Sequence, residues 1–267
     1  MKKNFIFFDV DGTLLSSQYE VLPSTILALR AMEAKGIKYA IASGRNVEGI
    51  LPIIKANNLT CSIIAGNGSI VLDEDGKKVF SAGMSKAEAQ KIVKMVDTLN
   101  LDVVLNFYTN EGWTVLDDKH PVVIREEKLT SQKAKVKRLE DLEQNENCVF
   151  KINYVASGEV IEHLLTYLRM NFPDYAILRT STNWLEINKI GMNKGVGARA
   201  LLDYFGYDSK ASIAFGDSYN DIELLKFVGL GIAMGNAFSD VQAVADYITE
   251  DNDNDGIFLA LKRFEII

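Results

Sequence analysis

The sequence predicts an α/β protein, a doubly wound and mostly parallel sheet interrupted by an inserted α+β domain. Three observations predict it. Continuous apolar runs such as Phe5–Phe8 and Ser212–Phe215 have the composition of strands covered on both faces. Strand and helix patterns alternate in the first third of the chain and again in the last third, as in right-handed parallel crossovers. Between these stretches the pattern changes to helices among hairpin-linked strands.

Each element has a local reason. The strand Phe5–Phe8 leads to a helix over Pro23–Ala34, where Pro23 suits the first turn and Gly36 the stop. The strand Lys38–Ala42, a helix over Val47–Asn57 and the strand Ser62–Ala65 continue the alternation. Ile70–Leu72 and Lys78–Phe80 flank Asp73-Glu74-Asp75-Gly76, a hairpin signal. A helix over Lys86–Leu99 follows, then strands Val103–Phe107 and Trp113–Leu116 around the turn Asn110-Glu111-Gly112. The charged stretch Arg125–Gln144 reads as surface loop or helix. Val149–Val155, Ala176–Thr180 and Trp184–Ile187 read as strands, with a helix over Glu159–Met170. The parallel pattern resumes with a helix over Lys194–Phe205 and the strand Ser212–Phe215. A short helix over Asp221–Lys226, the strand Leu230–Ala233 and helices near Ser239–Ala245 and Ile257–Phe264 complete it. The expected division is a core of residues 1–82 and 186–267 with an insert at 83–185.

Composition narrows the function. The chain has 267 residues, 48% of them apolar, which suffices for one large domain or two modest ones. Its net charge of −7 argues against general nucleic-acid binding, which needs basic patches. Cys61 and Cys148 form no CxxC, so a thiolate zinc site is not expected, and they read as buried thiols in a reducing compartment. The apolar run ending at Asp9 is too short for a signal peptide, and no stretch reaches the length of a membrane span. These features lead us to expect a soluble cytoplasmic protein. His120 and His163 are the only histidines, so no HExxH motif is possible. Ile41-Ala42-Ser43-Gly44-Arg45 lacks the first glycine of a nucleophile elbow.

Chemistry is concentrated where strands end. Phe5–Phe8 stops abruptly at Asp9-Val10-Asp11-Gly12-Thr13. Two carboxylates so close repel each other and raise a pKa, and a divalent cation is the simplest means of keeping both ionised. Ser43-Gly44-Arg45 follows the second strand, and Asn193-Lys194-Gly195 opens the helix after the insert. Gly216-Asp217-Ser218-Tyr219-Asn220-Asp221 follows a late strand. In a parallel sheet the carboxyl ends share one edge, so these four segments can converge in one cleft.

In this order the four segments resemble the haloacid dehalogenase superfamily, and the large α+β insert resembles the cap of its Cof-like phosphatase branch. Gly66-Asn67-Gly68, Met234-Gly235-Asn236-Ala237 and Asn254-Asp255-Gly256-Ile257 fit as well. The resemblance implies a Rossmann-like core with a cap that closes over the site to exclude water and set specificity. It also implies that Asp9 is the nucleophile, forming an aspartyl-phosphate, and that Asp11 is the general acid and base. Asp9, Asp217 and the backbone carbonyl of Asp11 would hold Mg2+, a hard cation suited to an all-oxygen site. Lys194 would supply fixed positive charge. Ser43, the Gly44 amide, the Val10 and Gly12 amides and Asn220 would bind phosphoryl oxygens. Asp221 would orient the metal site, or bind the ion through water, or merely favour a helix start. Arg45 would reach substrate or pair with a nearby acid, and Asn67 is a further candidate for substrate contact.

Three functions follow. The leading one is a Mg2+-dependent phosphatase for small phosphorylated metabolites, such as sugar phosphates or phosphorylated cofactors. A phosphotransferase or mutase would use the same intermediate, and a non-catalytic phosphometabolite sensor is the third. Asp251-Asn252-Asp253-Asn254-Asp255-Gly256 imitates half of a calcium loop, but Lys262 stands where the bidentate glutamate belongs, so it reads as a turn. In the insert, Trp113, Tyr154 and Trp184 read as packing, with Arg179 and the 110–112 turn as weak candidates for the leaving-group pocket. Oligomeric state is not legible.

Overall fold

The structure, a computed structural model, describes residues 5–109, 112–130, 132–142 and 149–267. The chain begins with β1 (Phe5–Phe8), α1 (Pro23–Ala34), β2 (Lys38–Ala42), α2 (Val47–Ala56), β3 (Ser62–Ala65), β4 (Ile70–Leu72) and β5 (Lys78–Ser81). Next come α3 (Lys86–Asp97), β6 (Val104–Thr109), β7 (Gly112–Val115), α4 (Pro121–Thr130), β8 (Lys135–Val136), β9 (Val149–Val155), α5 (Gly158–Asn171), β10 (Tyr175–Ser181) and β11 (Trp184–Lys189). The last part holds α6 (Lys194–Phe205), β12 (Ser212–Gly216), α7 (Ile222–Phe227), β13 (Leu230–Ala233), α8 (Ser239–Gln242), β14 (Tyr247–Ile248) and α9 (Gly256–Arg263). Two compact units result, residues 1–80 with 193–267, and residues 81–192. The second extends beyond 83–185 because β11 runs to Lys189, paired with Tyr175 of β10.

The first unit contains an eight-stranded sheet in the order β14-β13-β12-β1-β2-β3-β4-β5. Pairing is parallel from β14 through β3 and antiparallel between β3 and β4. Every residue of β1 is fully buried, as expected of a central strand with both faces covered. The chain proceeds from β1 outward through β2 and β3, and later from β12 outward through β13 and β14. The order therefore reverses between β1 and β12. Such a switch point opens a crevice at the strands' carboxyl ends, where α/β sheets take ligands.

Helix α6 delivers one side chain to that edge. Asn193 caps it by accepting a hydrogen bond from the Val196 amide at 3.0 Å, and the left-handed Gly206 ends it. Lys194 is its first residue. The loop after β3 packs hard against this end of the helix. Gly68 has φ +95°, and a Cβ there would lie 2.1 Å from the Asn193 carbonyl oxygen.

The second unit contains a six-stranded sheet in the order β10-β11-β9-β6-β7-β8. Helices α3 and α5 cover one face, where Ile92, Leu164, Phe107, Ile152, Tyr154 and Ile187 belong to one core. A capping box of Ser85 and Glu88 starts α3, and Ser157 caps α5. The charged stretch after Arg125 contains the end of α4, whose Val123 packs with Trp113 and Val115. Trp113 and Tyr154 are buried packing residues. Arg179 is tied to Glu162 at 2.9 Å and to the carbonyls of Ser181 and Thr182, so it secures the β10–β11 connection. Asn110, Glu111 and Cys148 lie outside the described residues; Cys61 is buried, and its burial pushes the thiol up to about 12. Asp251–Asp255 form a turn into α9 in which Asp253 accepts from the Ser17 amide at 2.7 Å. No helix among the described residues is long and apolar enough to cross a membrane.

Replacing Gly68 with alanine should cost at least about 2 kcal/mol through backbone strain and the clash with Asn193. For a chain of this size that lowers Tm by roughly 5 °C. An unchanged Tm would mean that the close approach of this loop to α6 does not constrain the fold.

Candidate active site

The switch point gathers four charged side chains. Asp9 is the first residue after β1, and its amide donates to the Phe215 carbonyl of β12 at 3.1 Å. The parallel register pairs Phe8 with Phe215, which brings the segment after β12 beside Asp9. Lys194 Nζ donates to Asp9 Oδ1 at 2.5 Å and to Asp221 Oδ1 at 2.6 Å. Lys194 and Asp221 are fully buried, and Asp9 nearly so.

Asp217 completes the group. Thr13 Oγ1 donates to Asp217 Oδ1 at 2.8 Å. Gly12 has φ +82°, and a Cβ there would sit 2.5 Å from Asp217 Oδ2, so only glycine allows the first loop to reach this carboxylate. One oxygen from each of Asp9, Asp217 and Asp221 lies within 4.8 Å of the others. Asp221 has little capacity left for an ion. One oxygen is held by Lys194, and the other accepts from the Asp217 and Ser218 amides at 3.1 and 3.0 Å. It thereby fixes the turn that carries Asp217 and anchors the lysine.

The electrostatics call for a cation. Three carboxylates face one lysine, leaving two negative charges unbalanced if all are ionised. Burial pushes the Asp9 carboxyl well above its usual range; Lys194 opposes this, while Asp221 and Asp217 add to it. Burial also raises Asp217, although the Thr13 hydroxyl works against it. Burial alone would lower the Lys194 ammonium, but Asp9 and Asp221 outweigh that and raise it. An all-oxygen donor set with a deficit of two charges suits one hard divalent ion.

The remaining predicted residues occupy the neighbouring loops. Ser43 is buried, and its hydroxyl accepts from the Arg45 amide at 3.1 Å. Gly44 lies in the loop after β2, which the Asn67 amide joins to the loop after β3 by donating to the Ser43 carbonyl at 3.0 Å. Asn220 Nδ2 donates to Asn67 Oδ1 at 3.0 Å, joining the loops after β3 and β12. Val10 and Gly12 lie in the first loop, where the Val10 carbonyl accepts from the Leu15 amide at 2.9 Å. The Asp11 carboxylate stands outside the carboxylate cluster. It is exposed and forms a two-pronged pair with Arg45, with Nε at 2.9 Å and Nη2 at 2.5 Å. Of the two options for Arg45, the structure shows the pair with an acid.

Two contacts escaped sequence reasoning. The Thr13 hydroxyl reaches a residue 204 positions away, and no local spacing signals that. Asn236 Nδ2 donates to the Gly12 carbonyl at 2.8 Å, and Asn236 Oδ1 accepts from the Asn252 amide at 3.1 Å. Asn236 stands in a segment quoted above for its likeness to the superfamily, but its role as a brace for the first loop needed coordinates.

Comparison with known proteins agrees with this geometry. The profile of the haloacid dehalogenase-like hydrolases matches residues 6–261. A Haemophilus influenzae protein, provisionally named a phosphatase, is 31% identical over 258 residues, covering 97% of each chain. The HMP-PP phosphatase of Cronobacter sakazakii is 27% identical over 258 residues, covering 91% of this chain and 93% of its own. A solved subclass IIB sugar phosphatase superposes with a TM-score of 0.78 at 26% identity, covering 99% of this chain and all of that one. The chain belongs to the haloacid dehalogenase-like hydrolases, in their Cof-like phosphatase branch.

Proposed function

We propose that the protein is a Mg2+-dependent phosphatase of small phosphorylated metabolites, working through an aspartyl-phosphate on Asp9. The buried Asp9–Lys194–Asp221 chain beside Asp217 carries this reading. Sugar phosphates and phosphorylated cofactors are the substrate classes, in line with the names of the sugar phosphatase and the HMP-PP phosphatase it is similar to. The setting is the cytoplasm.

Asp9, Asp217 and the Asp11 carbonyl would hold the ion, with Asp221 as the brace behind them. The bound ion supplies charge neutralisation that lets an anionic nucleophile approach an anionic phosphate. An Asp9 carboxylate oxygen attacks phosphorus, and the bond from phosphorus to the leaving oxygen breaks. Asp11, two residues on, protonates the leaving oxygen. It then takes a proton from the water that attacks phosphorus and frees Asp9. Arg45 fixes the direction of the Asp11 carboxyl through its two hydrogen bonds. Ser43, the Gly44, Val10 and Gly12 amides, Asn220 and Lys194 hold the phosphoryl oxygens. Asn67 orients Asn220.

With Mg2+ and a panel of phosphate monoesters, the protein should release inorganic phosphate, with 18O from labelled water appearing in that phosphate. Asp9→Asn should lower the rate by roughly 10^3-fold or more. Wild-type rates in that variant would refute the nucleophile, and label passing to a second metabolite would indicate a transferase. Lys194→Met should abolish turnover and cost about 3–5 kcal/mol of stability, since it leaves buried carboxylates uncompensated. Unfolding at wild-type temperature would show that the lysine does not balance them.

A further inference from the structure

The second unit holds a groove of about 390 Å3 beside α3, on the helix-covered side of its sheet, and none of the catalytic residues lines it. That volume falls within the usual range of small-molecule sites, about 300–1,000 Å3. One wall is α3, where Gln90, Val93, Lys94 and Asp97 recur at helical spacing and so share a face. The other wall is the turn Arg138-Leu139-Glu140. Lys86 Nζ, from the start of α3, donates to the Glu140 and Leu142 carbonyls at 2.5 and 2.7 Å. Leu139 and Leu142 are buried in the core of the unit. The walls are therefore tied together at one end, and the groove between them is part of the fold.

Its floor is apolar. Antiparallel register sets Asn106 of β6 opposite Val115 of β7, so Leu105 and Leu116, the next pair, stand side by side. Leu116 is 52% exposed. With Leu105, Val93 and Leu139 it forms an aliphatic bed.

Both signs of charge surround this bed. Each wall brings one cation and one anion, Lys94 and Asp97 on α3, Arg138 and Glu140 on the turn. None of the four has an ion-pair partner among the described residues. Behind the floor, Tyr154 of β9 pairs with Leu105. It is 1% exposed, and its hydroxyl has no hydrogen-bond partner among the described residues. Burial raises this phenol far above its usual range, and the Asp97 carboxylate adds to the rise, so the unpaired hydroxyl neighbours the Asp97 end of the groove.

We propose that this groove binds a free α-amino acid with a bulky apolar side chain. The carboxylate faces Lys94 and Arg138, the ammonium faces Asp97 and Glu140, and the side chain lies on the leucine floor. An anionic amphiphile would meet Asp97 and Glu140 unfavourably, and a cationic one would meet Lys94 and Arg138. A neutral apolar compound would take water from all four charges and return nothing. A zwitterion answers both signs, and its ammonium brings donors to the corner where Asp97 and the Tyr154 hydroxyl lie. The inference concerns the second unit alone and holds whatever the chemistry at Asp9.

The test is saturation-transfer NMR on the full-length protein with L-leucine, L-methionine and L-phenylalanine. Transfer to the side-chain protons of at least one is expected, with a Kd of about 1 mM, as befits a small ligand with few contacts. N-acetyl-L-leucine lacks the ammonium, L-leucinamide lacks the carboxylate, and L-serine lacks the apolar side chain; each should bind at least tenfold more weakly than the best of the three. Asp97→Asn and Arg138→Gln change exposed side chains without altering the core, and each should weaken binding tenfold or more at an unchanged Tm. Transfer to none of the three amino acids, equal affinity for the blocked analogues, or undiminished binding in either variant would overturn the proposal.

Discussion

The site depends on one buried ion-pair chain, Asp9–Lys194–Asp221. A fully buried ammonium is costly, and this one stands at the start of α6, where the helix dipole disfavours positive charge. It is stable there because carboxylates approach from two other segments, after β1 and after β12. Each partner needs the others. Without the lysine the carboxylates repel, and without them the lysine would have to leave the interior. The pairing joins residues 185 and 27 positions apart, so it ties the two sequence-separated parts of the first unit together.

Topology makes this meeting possible. Reversal of strand order between β1 and β12 brings the ends of those strands together, and close packing of the Gly68 loop on α6 delivers the lysine to the same edge. The arrangement still carries more negative than positive charge. Burial, reinforced by the neighbouring carboxylates, raises the Asp9 and Asp217 carboxyls, and the surplus negative charge defines what a divalent ion would correct.

Much of this was legible in the sequence for a physical reason. Phe5–Phe8 and Ile213–Phe215 are apolar without interruption because both faces of a central strand are covered, so their ends, and the acids there, could be located. The hidden parts are those set by distant partners. A charged stretch gives no apolar period, yet Val123 suffices to seat α4 on Trp113 and Val115. The two-residue strands β8 and β14 exist only through their neighbours. Asp221 sits at a helix start, as its surroundings suggested, but its burial and its grip on Lys194 depend on α6. Arg45 had two possible partners, and only the fold shows it on Asp11. Trp184 looked like Trp113 in sequence; Trp184 lines a cleft of the second unit, whereas Trp113 packs with Val115 and Val123.

The central claim is that the carboxylates around Lys194 form a divalent-cation site. The most direct measurement is calorimetric titration of chelator-stripped protein with Mg2+, for the wild type and Asp217→Asn. The account predicts saturable one-site binding to the wild type, weaker at lower pH because protons compete for the raised Asp9 and Asp217 carboxyls. In Asp217→Asn the affinity should fall tenfold or more. No binding to the wild type, or equal affinity in both proteins, would contradict it.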